Sequence, residues 1–162
     1  MANPRRSVRT VKDAVPHDVA VFKLKATTRE EAITELLNVL VINGTLPLDK
    51  ERTVRDAILD REAVASTGIG NGVAIPHTKS KFAVRLGLAI GTSAEGIDFG
   101  AHDGMDAYVV ALWVCPPSAT KEHLALMRGI ASIAQDINDA GVFQGVRDKR
   151  SLLDFLGQFP VE

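Results

Sequence analysis

His77 is the residue of this chain that is best placed to do chemistry, because of the segment that precedes it. It follows Val73, Ala74, Ile75 and Pro76, an apolar run whose proline fixes its own φ angle and lacks a backbone donor. The ring is therefore presented from a stiff segment. With an unperturbed pKa of about 6.5, a histidine is neutral and nucleophilic near pH 7, as a phosphoryl acceptor must be. A surface histidine or a hydrogen-bonded structural histidine is the alternative interpretation.

Three glycines stand within five residues just before this segment, at Gly68, Gly70 and Gly72. Glycine allows positive φ angles, so that successive backbone N–H groups can face one small volume and bind an anion. A mobile surface loop is the alternative for the same pattern. The run lacks the Gly-Lys-Ser/Thr end of a P-loop, and Val73 stands where a dinucleotide-binding loop needs its third glycine. ATP and NAD are therefore not indicated, and no cofactor is predicted.

A metal-dependent hydrolase is another possible function, built on His77, His102, His123 and Asp103. These histidines come from three separate segments, and no HExxH or similar ligand spacing occurs. We therefore predict no metal site. His102 belongs to a His-Asp-Gly sequence that is typical of a turn, and with His17 it is expected at the surface.

Two sequence blocks resemble the active-site signature of a known family. The first, residues 60–77, contains DRE and then STGIGNGVAIPH, in which the glycine run, the proline and the histidine match without a gap. The second, residues 115–130, contains CPP followed by the pair His123-Leu124. Both blocks are similar to enzyme IIA of the bacterial sugar phosphotransferase system, of the fructose/mannitol type. The nitrogen-regulatory branch belongs to the same group.

The resemblance implies a phosphocarrier, a protein component of a phosphotransferase relay. His77 would take the phosphoryl group from the phosphohistidine of the carrier HPr and pass it to a cysteine of a IIB protein or domain. His123 matches a neighbouring histidine that helps to hold the phosphoryl group, and Arg61 matches an arginine near the site. In a regulatory member, the phosphorylation state of His77 would instead control binding to partner proteins. The motif leaves carbohydrate uptake and regulation open.

A transferred phosphoryl group needs hydrogen-bond donors around its oxygens. Arg61 could offer a charge-assisted fork and disfavour protonation of His77, and His123 could donate an N–H near a helix N-terminus. Arg61 could equally pair with its acidic neighbours or cap the end of its own helix, and His123 could be only a polar first-turn residue. The predicted phosphate-binding loop comprises Gly68, Gly70, Asn71 and Gly72, with possible supporting donors at Ser66, Thr67 and Thr78.

Regular elements must position these residues. Residues 19–25 alternate β-branched or aromatic residues with polar ones and predict a strand. Thr28 and Glu31 form a capping-box pattern at the start of a helix whose apolar residues recur with helical spacing up to Gly44. A second helix is predicted from Asp49, as its N-cap, to about residue 63. This helix would carry Arg61 near its C-terminal end.

Further strands and helices are predicted downstream. Residues 84–91 and 106–115 predict strands, and the second is apolar enough to be central in a sheet covered on both faces. A helix follows over residues 120–136, with His123 in its first turn, and residues 151–159 predict a short terminal helix. Residues 66–72 are too rich in glycine for a regular element. The intermixed elements indicate an α/β or α+β fold, and the resemblance implies a mixed β-sheet flanked by helices.

Composition indicates a single compact domain. The chain has 162 residues, 46% of them hydrophobic, and two separate cores would leave each half unusually small. Since 19 Lys+Arg stand against 20 Asp+Glu, for a net charge of −1, nucleic acid is not an expected partner. The apolar runs are far shorter than the roughly 20 residues that span a bilayer, and no signal peptide opens the chain. We therefore expect a cytoplasmic protein that is not embedded in a membrane.

The N-terminal segment differs in composition from the predicted domain that follows it. The first 12 residues contain four basic residues and no acidic one, so residues 1–16 are predicted to be a disordered basic arm. The IIA domain is predicted over residues 17–162. Its single cysteine, Cys115, has no partner for an internal disulfide, and at the end of an apolar strand it is predicted to be buried and structural.

Overall fold

The structure, a computed structural model, describes residues 19–136 and the isolated positions 150, 154 and 157. The predicted basic arm at residues 1–16 lies outside the described residues. The predicted terminal helix at residues 151–159 also lies outside them, apart from positions 154 and 157. The described part forms one mixed β-sheet with helices packed on both faces, so the predicted fold class is confirmed.

Six strands of the described part form this sheet. Their bounds are β1 Val19–Lys23, β2 Gly68–Gly70, β3 Val73–Ala74, β4 His77–Lys79, β5 Gly87–Ile97 and β6 Ala107–Cys115. The order across the sheet is β1-β5-β6-β3-β2, and β4 also pairs with β6. The pairs β1–β5, β3–β6 and β4–β6 are parallel, whereas β5–β6 and β2–β3 are antiparallel.

β6 lies at the centre of the sheet, as its apolar sequence predicts. It pairs with β5 on one edge and with β3 and β4 on the other, and all of its residues except Tyr108 are buried. Cys115 at its end is buried and free, also as predicted. β5 differs from its prediction: it begins at Gly87 because the N–H of Val84 bonds to the carbonyl of Thr45 instead of joining the sheet. Pairing with β6 then extends β5 through a polar stretch to Ile97.

Three α-helices lie between residues 19 and 136, namely α1 Arg29–Ile42, α2 Glu51–Val64 and α3 Thr120–Asp136. The cap of α1 is confirmed: the Thr28 hydroxyl accepts the N–H of Glu31 at 3.3 Å. The return bond differs by one residue, because the Glu31 carboxylate accepts the N–H of Thr27 at 2.9 Å. α3 has the predicted bounds.

The predicted N-cap of α2 is wrong. Asp49 lies inside a 3-10 turn, Leu48–Lys50, and Lys50 occupies the cap position without a side-chain hydrogen bond. Pro47 stands just before this turn with a φ of −64°. A short 3-10 turn is a common way to enter a helix, because its tighter hydrogen bonds satisfy donors that would otherwise need a cap. The rest of the helix, including Arg61 in its last turn, is as predicted.

Apolar residues on both sheet faces form the core. Alternate residues of β6 face opposite layers, as the period of two in a strand requires. The layer shared with α3 contains Val73, Ile75, Leu88, Ile90, Val109, Ala111, Trp113, Leu126 and Ile130. The layer shared with α1 and α2 contains Ile33, Leu36, Leu37, Leu40, Val54, Ile58, Val110, Leu112 and Val114. The site described below lies in the α3 layer.

The glycine-rich segment forms a β-hairpin, so the prediction that it contains no regular element is wrong. Gly68 pairs with Ala74 and Gly70 with Val73. Asn71 and Gly72 connect the two strands with φ angles of 54° and 80°. Two-residue hairpins favour an Asn-Gly pair because both positions need positive φ. β3 also pairs with β6, which joins the hairpin to the sheet just before His77.

Candidate functional site

His77 is the first residue of β4, and a contact with Ile75 fixes its ring. Nδ1 lies 2.6 Å from the carbonyl oxygen of Ile75. A carbonyl oxygen can only accept, so Nδ1 carries the hydrogen and donates it. In the neutral ring the lone pair is then on Nε2. His77 therefore offers Nε2 as its nucleophilic atom, from the stiff segment that the sequence predicts.

Trp113 stacks on His77. The two residues are register partners in the parallel pair β4–β6, so their side chains stand on the same face of the sheet. Their ring centroids are 4.8 Å apart and their planes differ by 9°. Trp113 is completely buried. The sequence predicts a buried strand over residues 106–115 but does not identify Trp113 as a site residue, because strand register is not visible in one sequence.

His123 reaches the same place from the first turn of α3. It is 7% exposed, and its ring centroid lies 5.2 Å from that of His77. The indole N–H of Trp113 donates to Nδ1 of His123 at 2.9 Å. Nδ1 therefore carries the lone pair, and Nε2 carries the hydrogen of the neutral ring. His77 and His123, both predicted site residues, thus lie side by side. Nε2 of His77 is an acceptor, and Nε2 of His123 is a donor.

Both histidines favour the neutral form. Burial is the main cause that lowers the pKa of His77 below its ordinary value of 6.5, and the positive charge of Arg61 adds to this effect. The hydrogen bond to Ile75 and the charge of Glu62 act in the opposite direction. The pKa of His123 is also lowered, by burial first and then by the charges of His77 and Lys79. Near pH 7 the Nε2 lone pair of His77 is therefore available.

Arg61 lies in the last turn of α2 and is exposed. Its Nη1 donates to the carbonyl of Ala65, the C-cap residue, at 2.9 Å. This bond is the helix-capping role that the sequence analysis leaves open. The guanidinium also lowers the pKa of His77 through its charge, as the sequence analysis expects. One side chain thus caps α2 and contributes positive charge that acts on His77.

Two of the predicted supporting donors are bonded inside the protein. Thr67 is buried and donates its N–H (3.2 Å) and its hydroxyl to the carboxylate of Glu62. The Ser66 hydroxyl donates to the carbonyl of Phe99 and accepts the N–H of Gly68. Each hydroxyl has only one hydrogen to donate, so these bonds use the donor capacity of both side chains. Glu62, a residue of the signature block, thus holds Thr67, the residue just before the hairpin.

The turn of the hairpin is held from two directions. The N–H of Asn71 donates to Oδ2 of Asp103 at 2.9 Å, and its side-chain amide donates to the carbonyl of Ala134 in α3. A Cβ atom built on Gly70 would lie 2.9 Å from the same Asp103 oxygen. A carboxylate beside the turn disfavours a second anion there. Phosphate binding by this loop stays a prediction, and the observed bonds favour a structural role.

β4 carries two further polar residues. The Thr78 hydroxyl lies 3.3 Å from the carbonyl of Lys79, and alternation along the strand turns Thr78 away from the His77 face. Lys79 returns to that face, with Nζ 3.5 Å from Oγ1 of Thr120 at the start of α3. Lys79 is not among the predicted site residues, although its spacing of two residues from His77 would place it on the same face of a strand.

The metal hypothesis requires His102 and Asp103 to converge with His77 and His123. Within the described residues, no group of three or more His, Cys, Asp or Glu side chains is arranged to hold a metal ion. His102 is exposed and lies beside Gly70, and His17 is outside the described part of the chain.

No helix in the described ranges is long and apolar enough to cross a membrane.

Known proteins resemble this chain in sequence, and others resemble it in fold. The family model "Phosphoenolpyruvate-dependent sugar phosphotransferase system, EIIA 2" matches residues 15–158. The fructose-specific EIIA component of Haloferax volcanii is 32% identical over 124 residues, which cover 76% of this chain and 79% of that protein. The nitrogen regulatory protein of Pseudomonas aeruginosa is 34% identical over 114 residues, 69% of this chain and 73% of that protein.

Some matches are to structures and to longer proteins. The crystal structure of IIA mannitol from Escherichia coli is 26% identical, with a TM-score of 0.63 over 84% of this chain and 94% of that chain. The match to the fructose-specific EIIABC component of Bacillus subtilis covers only 17% of that longer protein. Because the family model spans most of the sequence, the chain belongs to the EIIA 2 family of the phosphoenolpyruvate-dependent sugar phosphotransferase system, whose phosphotransfer proteins include sugar-specific and nitrogen-regulatory types.

Proposed function

We propose that this protein is a phosphocarrier in which Nε2 of His77 accepts the phosphoryl group. The observation that carries the proposal is the hydrogen bond from Nδ1 to the carbonyl of Ile75, because it leaves the lone pair on Nε2. Burial and the charge of Arg61, which both lower the pKa of His77, keep that lone pair unprotonated near pH 7. Stacking on Trp113 holds the ring in place.

In the proposed step, the bond between phosphorus and the donor's histidine nitrogen breaks as a bond forms between phosphorus and Nε2 of His77. The Nε2 lone pair makes the new bond, and the electrons of the old bond return to the donor nitrogen. Nδ1 keeps its hydrogen, which stays hydrogen-bonded to the carbonyl oxygen of Ile75. Catalysis then consists mainly of positioning the group and stabilising its three equatorial oxygens. We assign this role to Nε2–H of His123 and to the guanidinium of Arg61.

We assign the donor role to HPr and the acceptor role to a cysteine of a IIB protein or domain. A relative supports the acceptor: enzyme IIA mannitol of Escherichia coli has been solved in complex with phosphorylated enzyme IIB mannitol, and this chain shares its fold with a TM-score of 0.63 at 22% identity. Delivery would break the bond from phosphorus to Nε2, form a bond to the cysteine thiolate and restore neutral His77. Carbohydrate uptake and a cytoplasmic location are parts of this proposal.

Incubation of the full chain with phosphoenolpyruvate, enzyme I and HPr tests the proposal. We expect intact mass to show one acid-labile phosphate on the wild type, none on His77→Ala, and one on the matched control His102→Ala. Phosphorus-31 NMR should then place the phosphate on Nε2 rather than Nδ1. An unphosphorylated wild type, in a mixture that phosphorylates a control IIA, would reject the proposal. Phosphate on another residue would also reject it.

Regulation by the same phosphorylated histidine is the second candidate. It is favoured by the nitrogen regulatory protein of Bradyrhizobium diazoefficiens, whose match covers 93% of this chain and 96% of that protein at 28% identity. Transfer from phosphorylated His77 to a purified IIB would support uptake. A change in binding to regulatory proteins between the phosphorylated and unphosphorylated forms, without transfer to IIB, would support regulation.

A further inference from the structure

Trp113 contacts both histidines of the site by two different interactions. Its indole ring stacks on His77, and its Nε1–H donates to Nδ1 of His123. It does so from the central strand of the sheet, where it is completely buried. A buried indole N–H needs an acceptor, and here that acceptor belongs to a residue of the proposed relay.

We propose that Trp113 is a positioning residue that fixes His123 as an Nε2–H donor to the phosphoryl group carried by His77. This role rests on the proposed function. The indole nitrogen can only donate, so its bond to Nδ1 exists only while His123 keeps the Nδ1 lone pair and its single hydrogen is on Nε2. Phosphoryl oxygens can only accept, so the opposite tautomer would present a lone pair to them.

The surroundings of His123 support this role. Lys79, and His77 when it is protonated, face it from β4 with positive charges that disfavour its protonation. Protonation of His123 would place a hydrogen on Nδ1 and break the Trp113 bond. Trp113 is anchored by a nine-residue strand with neighbours on both edges, whereas His123 lies in the first turn of a helix. The indole therefore supplies a rigid reference for the histidine ring.

Two variants remove the indole N–H with different effects on packing. Trp113→Phe keeps an aromatic ring but leaves a smaller side chain. Because the chain contains one tryptophan, incorporation of its benzothienyl analogue, with sulfur in place of N–H, changes position 113 alone and preserves the shape. The analogue keeps the test decisive if Trp113→Phe fails to fold. Circular dichroism and thermal unfolding check both proteins.

Nitrogen-15 NMR of His123 gives the first readout, on the unphosphorylated full chain and without any transfer. In the wild type we expect Nδ1 unprotonated and Nε2 protonated down to a pH below 6.5. In the analogue we expect a mixture of tautomers and protonation at a higher pH. A His123 spectrum and titration that do not change would overturn the proposal. An inactive wild type would reject the proposed function, and this role with it, whatever the NMR result.

Transfer kinetics give the second readout. We expect loss of the N–H to slow transfer about tenfold, the equivalent of one net hydrogen bond, with His77 still phosphorylated. The decisive comparison is a double-mutant cycle with His123→Ala, which removes the acceptor of the indole N–H, so that loss of the N–H should slow transfer no further in that background. An equal cost in both backgrounds would mean that Trp113 acts on His77 through packing alone, and the proposal would be wrong.

Discussion

The ring of His77 lies parallel to the indole of Trp113, with centroids 4.8 Å apart and planes that differ by 9°. The parallel register of β4 and β6 produces this contact, because it sets the two residues side by side on one face of the sheet. The stack buries one side of the histidine ring, and burial is the largest cause of its lowered pKa. The stack with Trp113 therefore helps both to hold the ring of His77 and to keep its Nε2 lone pair unprotonated.

Replacement of Arg61 should slow phosphoryl transfer. Arg61→Gln removes a positive charge that acts on His77 and, in our proposal, a donor to the phosphoryl oxygens. We expect a rate about a hundredfold lower, as for loss of one transition-state donor, together with a higher pKa of His77. Rapid-quench transfer from phospho-HPr and NMR titration measure the two effects. Arg52→Gln, an exposed position on the same helix, is the matched control, and equal rates for both variants would contradict the assignment.

Stability should fall as the pH is lowered from 7.5 to 5.5. The folded-state pKa values of His77 and His123 lie below 6.5, so the unfolded chain binds protons that the folded chain does not. The free energy of unfolding is then highest above the unfolded pKa and decreases as the pH falls toward the folded pKa. Urea denaturation at each pH measures it. His77→Gln should flatten the dependence, and a wild type that is equally stable at pH 5.5 and 7.5 would contradict it.

The hydroxyl of Thr67 should contribute to stability more than to phosphate binding. Thr67→Val keeps the shape but removes a buried hydrogen bond to the Glu62 carboxylate. We expect a loss of about 1–3 kcal/mol in the free energy of unfolding, because a buried acceptor loses its partner. Thr67→Ser retains the hydroxyl and should cost clearly less. Chemical denaturation compares the two, and the reverse order would exclude this account.

Asn71 should contribute to stability through its side-chain hydrogen bond and through its tolerance of a positive φ. Asn71→Gly keeps the positive φ that the turn needs but removes the amide bonded to Ala134 in α3. Asn71→Ala removes the same bond and adds backbone strain. We expect Asn71→Ala to be the less stable variant in thermal unfolding, by roughly 1 kcal/mol. Phosphorylation of His77 in Asn71→Gly should remain within a few-fold of wild type. A complete loss would favour phosphate binding by the hairpin.

Local signals in the sequence were sufficient for several elements. The cap of α1 was predictable because Thr28 and Glu31 interact within one helical turn. The central strand β6 was predictable because an apolar run is required where both sheet faces are covered. The stiff segment before His77 was predictable from Pro76 and its apolar neighbours. Each of these features depends on residues close together in the chain.

The hairpin of residues 68–74 was not predictable from local signals. Its glycines indicate that positive φ angles are accessible, but they do not show that the segment forms strands. The strands form because β2 pairs with β3 and β3 pairs with β6. The bonds from Thr67 to Glu62 and from Asn71 to Asp103 likewise depend on the folded positions of distant groups. The sequence predicts Thr67 and Asn71 as phosphate donors, and it does not reveal that Glu62 and Asp103 lie close enough to bond them.

The sequence by itself determined the residue types of the site, the two helices that carry Arg61 and His123, and the family. Tertiary structure alone decided that Trp113 contacts both histidines. Helical and strand periodicities record which face of an element is apolar, but they contain no information on the register between strands or on the placement of a helix over a sheet. Those are set by packing of the whole core, and here they determine which nitrogen of His123 carries the hydrogen. The hydrogen on Nδ1 of His77 depends instead on a carbonyl two residues away in the chain.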